Sequence, residues 1–180
     1  MMKLSLRRLL AYAADFLLLA AVLAGSQWLL NALTGGFPFD SLKRGYQIEL
    51  WVLLTISLPT WLYFVWMEKR TGRTLGKMML RLAVESREGG PPSLPQSFLR
   101  TLIRLLPWEL THLIVLVPDP WWGVEQPENG FLIFIPNAML VLYVAYLFAY
   151  RGTRAIHDAF ARTRVRPRDP RNAAFVRLNP

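Results

Sequence analysis

Three stretches of about 20 apolar residues, Leu9 to Leu30, Ile48 to Met67 and Phe131 to Tyr150, constrain what this chain can fold into more than anything else in it. At a rise of ~1.5 Å per residue, each is long enough as a helix to cross a hydrocarbon core of ~30 Å. With 53% of its 180 residues hydrophobic, the chain reads as an integral membrane protein. A fourth stretch, Leu99 to Val117, is weaker because Arg100, Arg104, Glu109 and His112 interrupt it.

The cations decide whether it counts. Lys3, Arg7 and Arg8 precede the first span, eight Lys and Arg from Lys69 to Arg104 lie between the second and third, and eight arginines from Arg151 to Arg177 follow the last. Only Lys43 and Arg44 of the 21 fall in the first outer loop, and none falls in "PDPWWGVEQPENG". Four spans put all three basic blocks on the cytoplasmic side, as the positive-inside rule requires, whereas three would translocate an arginine-rich tail. The fold expected is therefore all-α: a four-helix transmembrane bundle with spans about 9–30, 48–67, 99–117 and 131–150 and both termini in the cytoplasm. Trp28, Trp51, Trp121 and Trp122 at the outer ends, with Tyr12, Trp66 and Tyr150 at the inner ends, suit interfaces. "KLSLRRLL" followed by "AVLAGS" has features of a cleavable leader, but Asp15 and a 22-residue apolar run favour a retained span.

The net charge of +9 is assigned to membrane orientation and anionic headgroups, not to nucleic acid, because the cations crowd the span ends. Cysteine is absent and the imidazoles are His112 and His157 alone, so no metal centre, thiolate nucleophile or cofactor is expected. Without a nucleophile–base pair or phosphate loop the chain does not read as an enzyme.

The segment "TGRTLGKMML" tests that last point. A phosphate loop needs four residues between its glycines, a hydroxyl after the lysine and a preceding strand. Here Gly72 and Gly76 are separated by three residues, Met78 follows Lys77, and a membrane span precedes. Leu75, Met78, Met79 and Leu82 instead recur at helical spacing, with Arg73, Lys77 and Arg81 opposite. That predicts a cytoplasmic interfacial helix over about 74–83, N-capped by Thr74, with those three cations on lipid phosphates. Gly72 eases the bend out of the second span and Gly76 permits close packing. "ESREGGPPSLPQ" reads as a turn-rich connector, and residues 166–180 as a basic tail that is mobile or lies on the headgroups.

Asp15 is the hardest residue to explain away. It lies seven residues beyond Arg8, about 10 Å along a helix, and a lipid-facing carboxylate there costs ~2–3 kcal/mol. Arg8, Ala11 and Asp15 share a face that must turn inward. Arg104 is the partner expected for Asp15, with Glu109 and His112 further into the same span as a proton relay or cation site. A static ion pair that locks helix packing explains the same residues. Asp158 lies four residues from both Arg154 and Arg162, a spacing for surface pairing; the competing reading folds it beneath the bundle to meet Arg8 or the interfacial helix.

"RRLLAYAADFLLL" at 7–19, "TGRTLGKMMLRLAV" at 71–84, "SFLRTLIRLL" at 97–106 and "GTRAIHDAFARTRV" at 152–165 resemble the RDD family of small bacterial membrane proteins, named for one arginine and two aspartates. By that resemblance Arg8 is the arginine, Asp15 the first aspartate and Asp158 the second, and Gly72, Thr74, Leu75, Gly76 and Lys77 form the family's glycine motif. His157 stands where members often carry glycine. The resemblance implies a bacterial inner-membrane location and transport of ions or small solutes, sodium/proton exchange among them. In the residue-level reading Asp15 is the titrating or cation-binding group, assisted by Glu109 or His112. The alternative is a non-catalytic assembly or scaffold protein whose basic face binds anionic lipid or a protein. Four helices enclose little volume, so a transport path calls for a homo-oligomer.

Overall fold

The computed structural model describes residues 3–168. Four helices are long and apolar enough to cross a membrane: Leu4–Thr34, Gly45–Thr71, Leu94–Gly123 and Gly130–Ala149. The first is α1 (Leu4–Thr34). The second comprises α2 (Gly45–Val52), a π-helical turn at Leu53–Ser57 and α3 (Leu58–Thr71). The turn ends two residues before Pro59, whose ring would clash with the carbonyl of Thr55 within it in a regular helix. The weak candidate is a continuous α5 (Leu94–Leu116) through Pro107, started by a Ser93–Gln96 capping box. The last is α6 (Phe134–Ala149), entered by a 3-10 turn at Gly130–Ile133.

The start of α1, the end of α3, the start of α5 and the end of α6 gather at one end of the bundle, here the basal end. The all-α, ten-residue interfacial helix expected there is corrected. The helix α4 spans only Leu75–Met79, and Leu82–Ser86 form a strand, β1. After a short α7 (Ile156–Phe160), β1 pairs antiparallel with β2 (Thr163–Pro167), in a register running from Leu82↔Pro167 to Ser86↔Thr163. Arg81, at φ 51, breaks the helix. From Leu82 the burial then alternates with period two, Leu82, Val84 and Ser86 facing in. Leu82 had seemed to continue the stripe of Leu75, Met78 and Met79; it starts the strand. The inward residues Leu82, Val84 and Val165 pack with Ala11 into a small apolar cluster. β2 includes the first residues of the expected tail, the remainder of which lies outside the described residues.

Inside and outside are inverted relative to a water-soluble domain. Large apolar side chains such as Leu17, Val22, Leu62 and Val141 are exposed, and buried polar or charged residues outnumber buried hydrophobic ones by 15 to 11 among those described. Lipid is as apolar as leucine, so the outward surface carries no penalty there, while polar groups gain by turning toward one another.

Two glycines set the basal geometry. Gly72 ends α3 in the left-handed region at φ 66, and its carbonyl accepts the Val84 N–H at 2.7 Å, which aims the chain into β1. Gly76 lets α4 lie against α1: a Cβ there would overlap the Ala11 carbonyl oxygen and stand 2.9 Å from Asp15 Cγ. Gly76→Ala is expected to cost about 1–3 kcal/mol through this backbone clash, whereas Gly25→Ala, with nothing within 4 Å, is expected to be neutral. Thermal unfolding of the two variants in detergent checks this.

Candidate functional site

Helical periodicity turns Arg8, Ala11 and Asp15 of α1 to one buried face, as their spacing predicts. Around that face the basal elements bring together a cluster of charges. Glu68, in the last turn of α3, is fully buried and holds three cations. Its Oε1 accepts Lys77 Nζ and Arg104 Nη1, both at 2.9 Å, and its Oε2 accepts Arg100 Nε at 2.8 Å. Arg100 is also fully buried and donates from Nη1 to Asp158 Oδ1, so its planar fork bridges two carboxylates. Asp158 Oδ2 accepts Arg8 Nη2 at 2.5 Å and the Ala155 N–H at 2.8 Å, the latter capping α7. Arg8 Nη1 donates to the Gly152 carbonyl at 2.9 Å. The Arg104 guanidinium lies 4.1 Å over the Phe64 ring.

Asp15 adjoins this cluster without joining its ion pairs. Its Oδ1 accepts the Tyr63 hydroxyl at 2.6 Å and the Gly76 N–H at 2.7 Å, and its Oδ2 accepts the Thr74 hydroxyl at 2.5 Å. Tyr63 in turn accepts the Leu75 N–H at 2.9 Å. One carboxylate thus ties α1 to α3 and to the first turn of α4 through neutral donors. The expected Asp15–Arg104 pair is corrected: Arg104 is taken by Glu68.

Burial raises the Asp158 carboxyl, but the guanidinium groups of Arg100 and Arg8 outweigh it and hold the group well below the usual carboxylate range. His157 is held neutral, its pKa well below the ordinary value, by burial and by the surrounding Arg100, Arg104 and Arg8, against the pull of Asp158. Burial lowers Lys77 to about 8 in spite of Glu68, with Arg104 and Arg100 adding to the effect. Counting Asp15, four buried cations face three buried carboxylates.

A second cluster lies toward the other end of α5. His112 Nδ1 is 2.8 Å from Glu49 Oε2 of α2, and its Nε2 is 3.0 Å from Glu109 Oε2. Glu109 Oε1 accepts Trp61 Nε1 at 2.8 Å, and Ser57, in the π turn, is 3.4 Å from His112 Nε2. Between the clusters is an apolar cavity of about 190 Å³, lined by Tyr12, Phe16, Phe64, Leu105 and Trp108 among others.

The structure therefore joins Arg8, Arg104 and Asp158 in one network, sets Asp15 beside it and places Glu109 and His112 apart. Asp158 takes the folded-back position, not the surface pairing with Arg154 or Arg162. Of the three cations expected on headgroups, Arg81 is exposed and Arg73 half-buried, but Lys77 is corrected to a buried partner of Glu68. Its helix docks on α1 through Gly76, which turns Lys77 inward. Sequence reasoning missed Glu68, Arg100 and Glu49. Glu68 carried a usable signal, as a carboxylate at a span end immediately before the basic block from Lys69.

These features define a small helical membrane-type protein whose polar interior is organised around a buried arginine–carboxylate network. The chain belongs to the RDD family, which matches residues 4–162. The searches of curated proteins and of solved structures give no match. Arg8 and Asp158, which the resemblance matches to the arginine and second aspartate of the family name, are directly paired.

Glu68→Gln leaves Lys77, Arg100 and Arg104 short of their shared counter-charge and is expected to cost about 3–5 kcal/mol, read from chemical or thermal unfolding in detergent. Lys77 sets a pH dependence of opposite sign to a stabilising pair. The folded chain releases its proton near pH 8 and the unfolded chain near the ordinary 10.5, so the unfolded state binds more protons between them. The Lys77 contribution to stability rises with pH across that window; Lys77→Met is expected to remove this slope in melting curves collected from pH 7 to 10.5.

Proposed function

We propose that this chain is a proton-coupled transporter of ions or small solutes, with His112 as the group that takes and releases the proton. The observation that carries this reading is an imidazole held between Glu49 and Glu109 inside an apolar span. Ionisable groups in such segments are costly, and histidine is the side chain whose ordinary pKa, ~6.5, lies near neutrality. Glu49 faces it from α2, Glu109 from its own helix, and Ser57, Trp61 and Trp108 complete its surroundings. A neutral imidazole leaves the pair of carboxylates uncompensated, so proton release raises affinity for an incoming cation. The π turn at Leu53–Ser57 supports the reading, because such irregular turns recur at functional sites.

Three neutral hydrogen-bond donors favour a tethering role for Asp15, so the titrating role moves from Asp15 to His112. The orientation adopted is that of the cationic blocks, with both termini cytoplasmic in an inner membrane, and the transport path is formed in a homo-oligomer. The scaffold alternative retains Arg73 and Arg81 as headgroup or partner contacts, without Lys77.

The test is flux in proteoliposomes carrying an internal pH dye, with imposed sodium, potassium or proton gradients. Wild-type protein is expected to move protons against a cation gradient, and His112→Gln to slow this by about a hundredfold or more, the lower end for a lost acid–base group. Asp15→Asn is expected to lower thermal stability while the inserted protein keeps its turnover. Equal flux in wild type and His112→Gln removes His112 from the mechanism.

A further inference from the structure

The cavity that the proton-handling reading does not use lies beside the basal cluster. It measures about 120 Å³, against the ~10–15 Å³ that admits one water. Its charged lining is Arg8, Lys77 and Arg104; its apolar lining includes Leu9 of α1 and Leu140 and Val144 of α6. Arg104 is 9% exposed, and its Nε, fully buried, has no hydrogen-bond partner among the described residues. Its other donors are committed, Nη1 to Glu68 and Nη2 to the Thr101 hydroxyl.

Two independent shortages therefore meet at one place. A buried guanidinium N–H lacks an acceptor, so a charged donor is stripped of water with nothing in return. Among the described residues the surrounding cluster has one cation more than it has carboxylates, so its buried cations share too little negative charge. An apolar or cationic occupant repairs neither shortage. An anion with several acceptor oxygens answers both: it brings an acceptor to the Arg104 guanidinium and supplies the missing negative charge next to Arg8 and Lys77.

We propose that this cavity binds a phosphate group through Arg104, Arg8 and Lys77. Phosphate is the anion whose tetrahedral oxygens can meet guanidinium and ammonium donors arriving from α1, α4 and α5 at once. Such a group comes either from an anionic phospholipid, whose acyl chain would run along Leu140 and Val144, or from free phosphate. His157 also lines the cavity and, held neutral, adds no further charge.

The full chain in detergent is titrated calorimetrically with short-chain phosphatidylglycerol, with short-chain phosphatidylcholine and with inorganic phosphate, and lipid retention is counted by native mass spectrometry. Arg104→Lys keeps the charge beside Glu68 but removes Nε. Val144→Trp fills the apolar wall and leaves every ion pair in place. A lipid ligand predicts saturable uptake of phosphatidylglycerol over phosphatidylcholine, weakened about tenfold by Arg104→Lys, the worth of one charge-assisted hydrogen bond, and blocked by Val144→Trp. A free anion predicts phosphate binding that Arg104→Lys weakens and Val144→Trp spares. Wild-type protein that binds neither phosphatidylglycerol nor phosphate overturns the proposal. Equal uptake of the two lipids with no phosphate binding, or undiminished binding by Arg104→Lys, overturns it as well. Should Arg104→Lys fail to fold, the wild-type titrations and Val144→Trp still decide the outcome.

Discussion

Glu68 is the point from which the basal architecture is built. A carboxylate stripped of water is tolerable only when cations and hydrogen-bond donors replace the lost solvation, and here α4 and α5 each send cations to it. Meeting that requirement fixes the depth of α5 relative to α3, turns Lys77 inward and holds Arg100 where it also reaches Asp158. The connections at this end follow from it: α7 is capped by the carboxylate that Arg100 and Arg8 share, and β2 leads directly from α7 to pair with β1.

The helices were legible from the sequence because a membrane span is written in length and apolarity, and both survive any detail of packing. The fourth was recovered from the distribution of cations even though Arg100, Arg104, Glu109 and His112 dilute it, and α5 is indeed long and apolar enough. The strand β1 was not legible. Five residues offer little periodicity, and Leu82 fits the helical stripe and the strand equally well. What separates the two is Arg81 in the left-handed region and the partner strand some 80 residues away, neither of which local spacing encodes.

Partner choice within the site was less legible than membership. The inward face of Arg8 and Asp15 follows from helical geometry and the cost of charge in lipid. Which cation meets which carboxylate depends on how far each helix slides past its neighbour, and that is set by residues such as Gly76 whose significance lies in what they lack. Arg104 is buried as its place in the span implied, but it pairs with Glu68, which the sequence reading did not single out, and not with Asp15. The His112 pair with Glu109 was visible as neighbours on one helix; Glu49 was not, being supplied across the bundle after a loop.

Asp158 lies beyond the last apolar helix, and the two arginines that it pairs are in the first helix and the third. During synthesis Arg8 and Arg100 must therefore wait, without this counter-ion, until the segment after the fourth apolar helix has emerged. The native arrangement of the basal end is thus a late event in biogenesis: a molecule whose final helix enters the wrong way round delivers Asp158 to the opposite side, leaving Arg8 without a carboxylate and Arg100 with Glu68 alone.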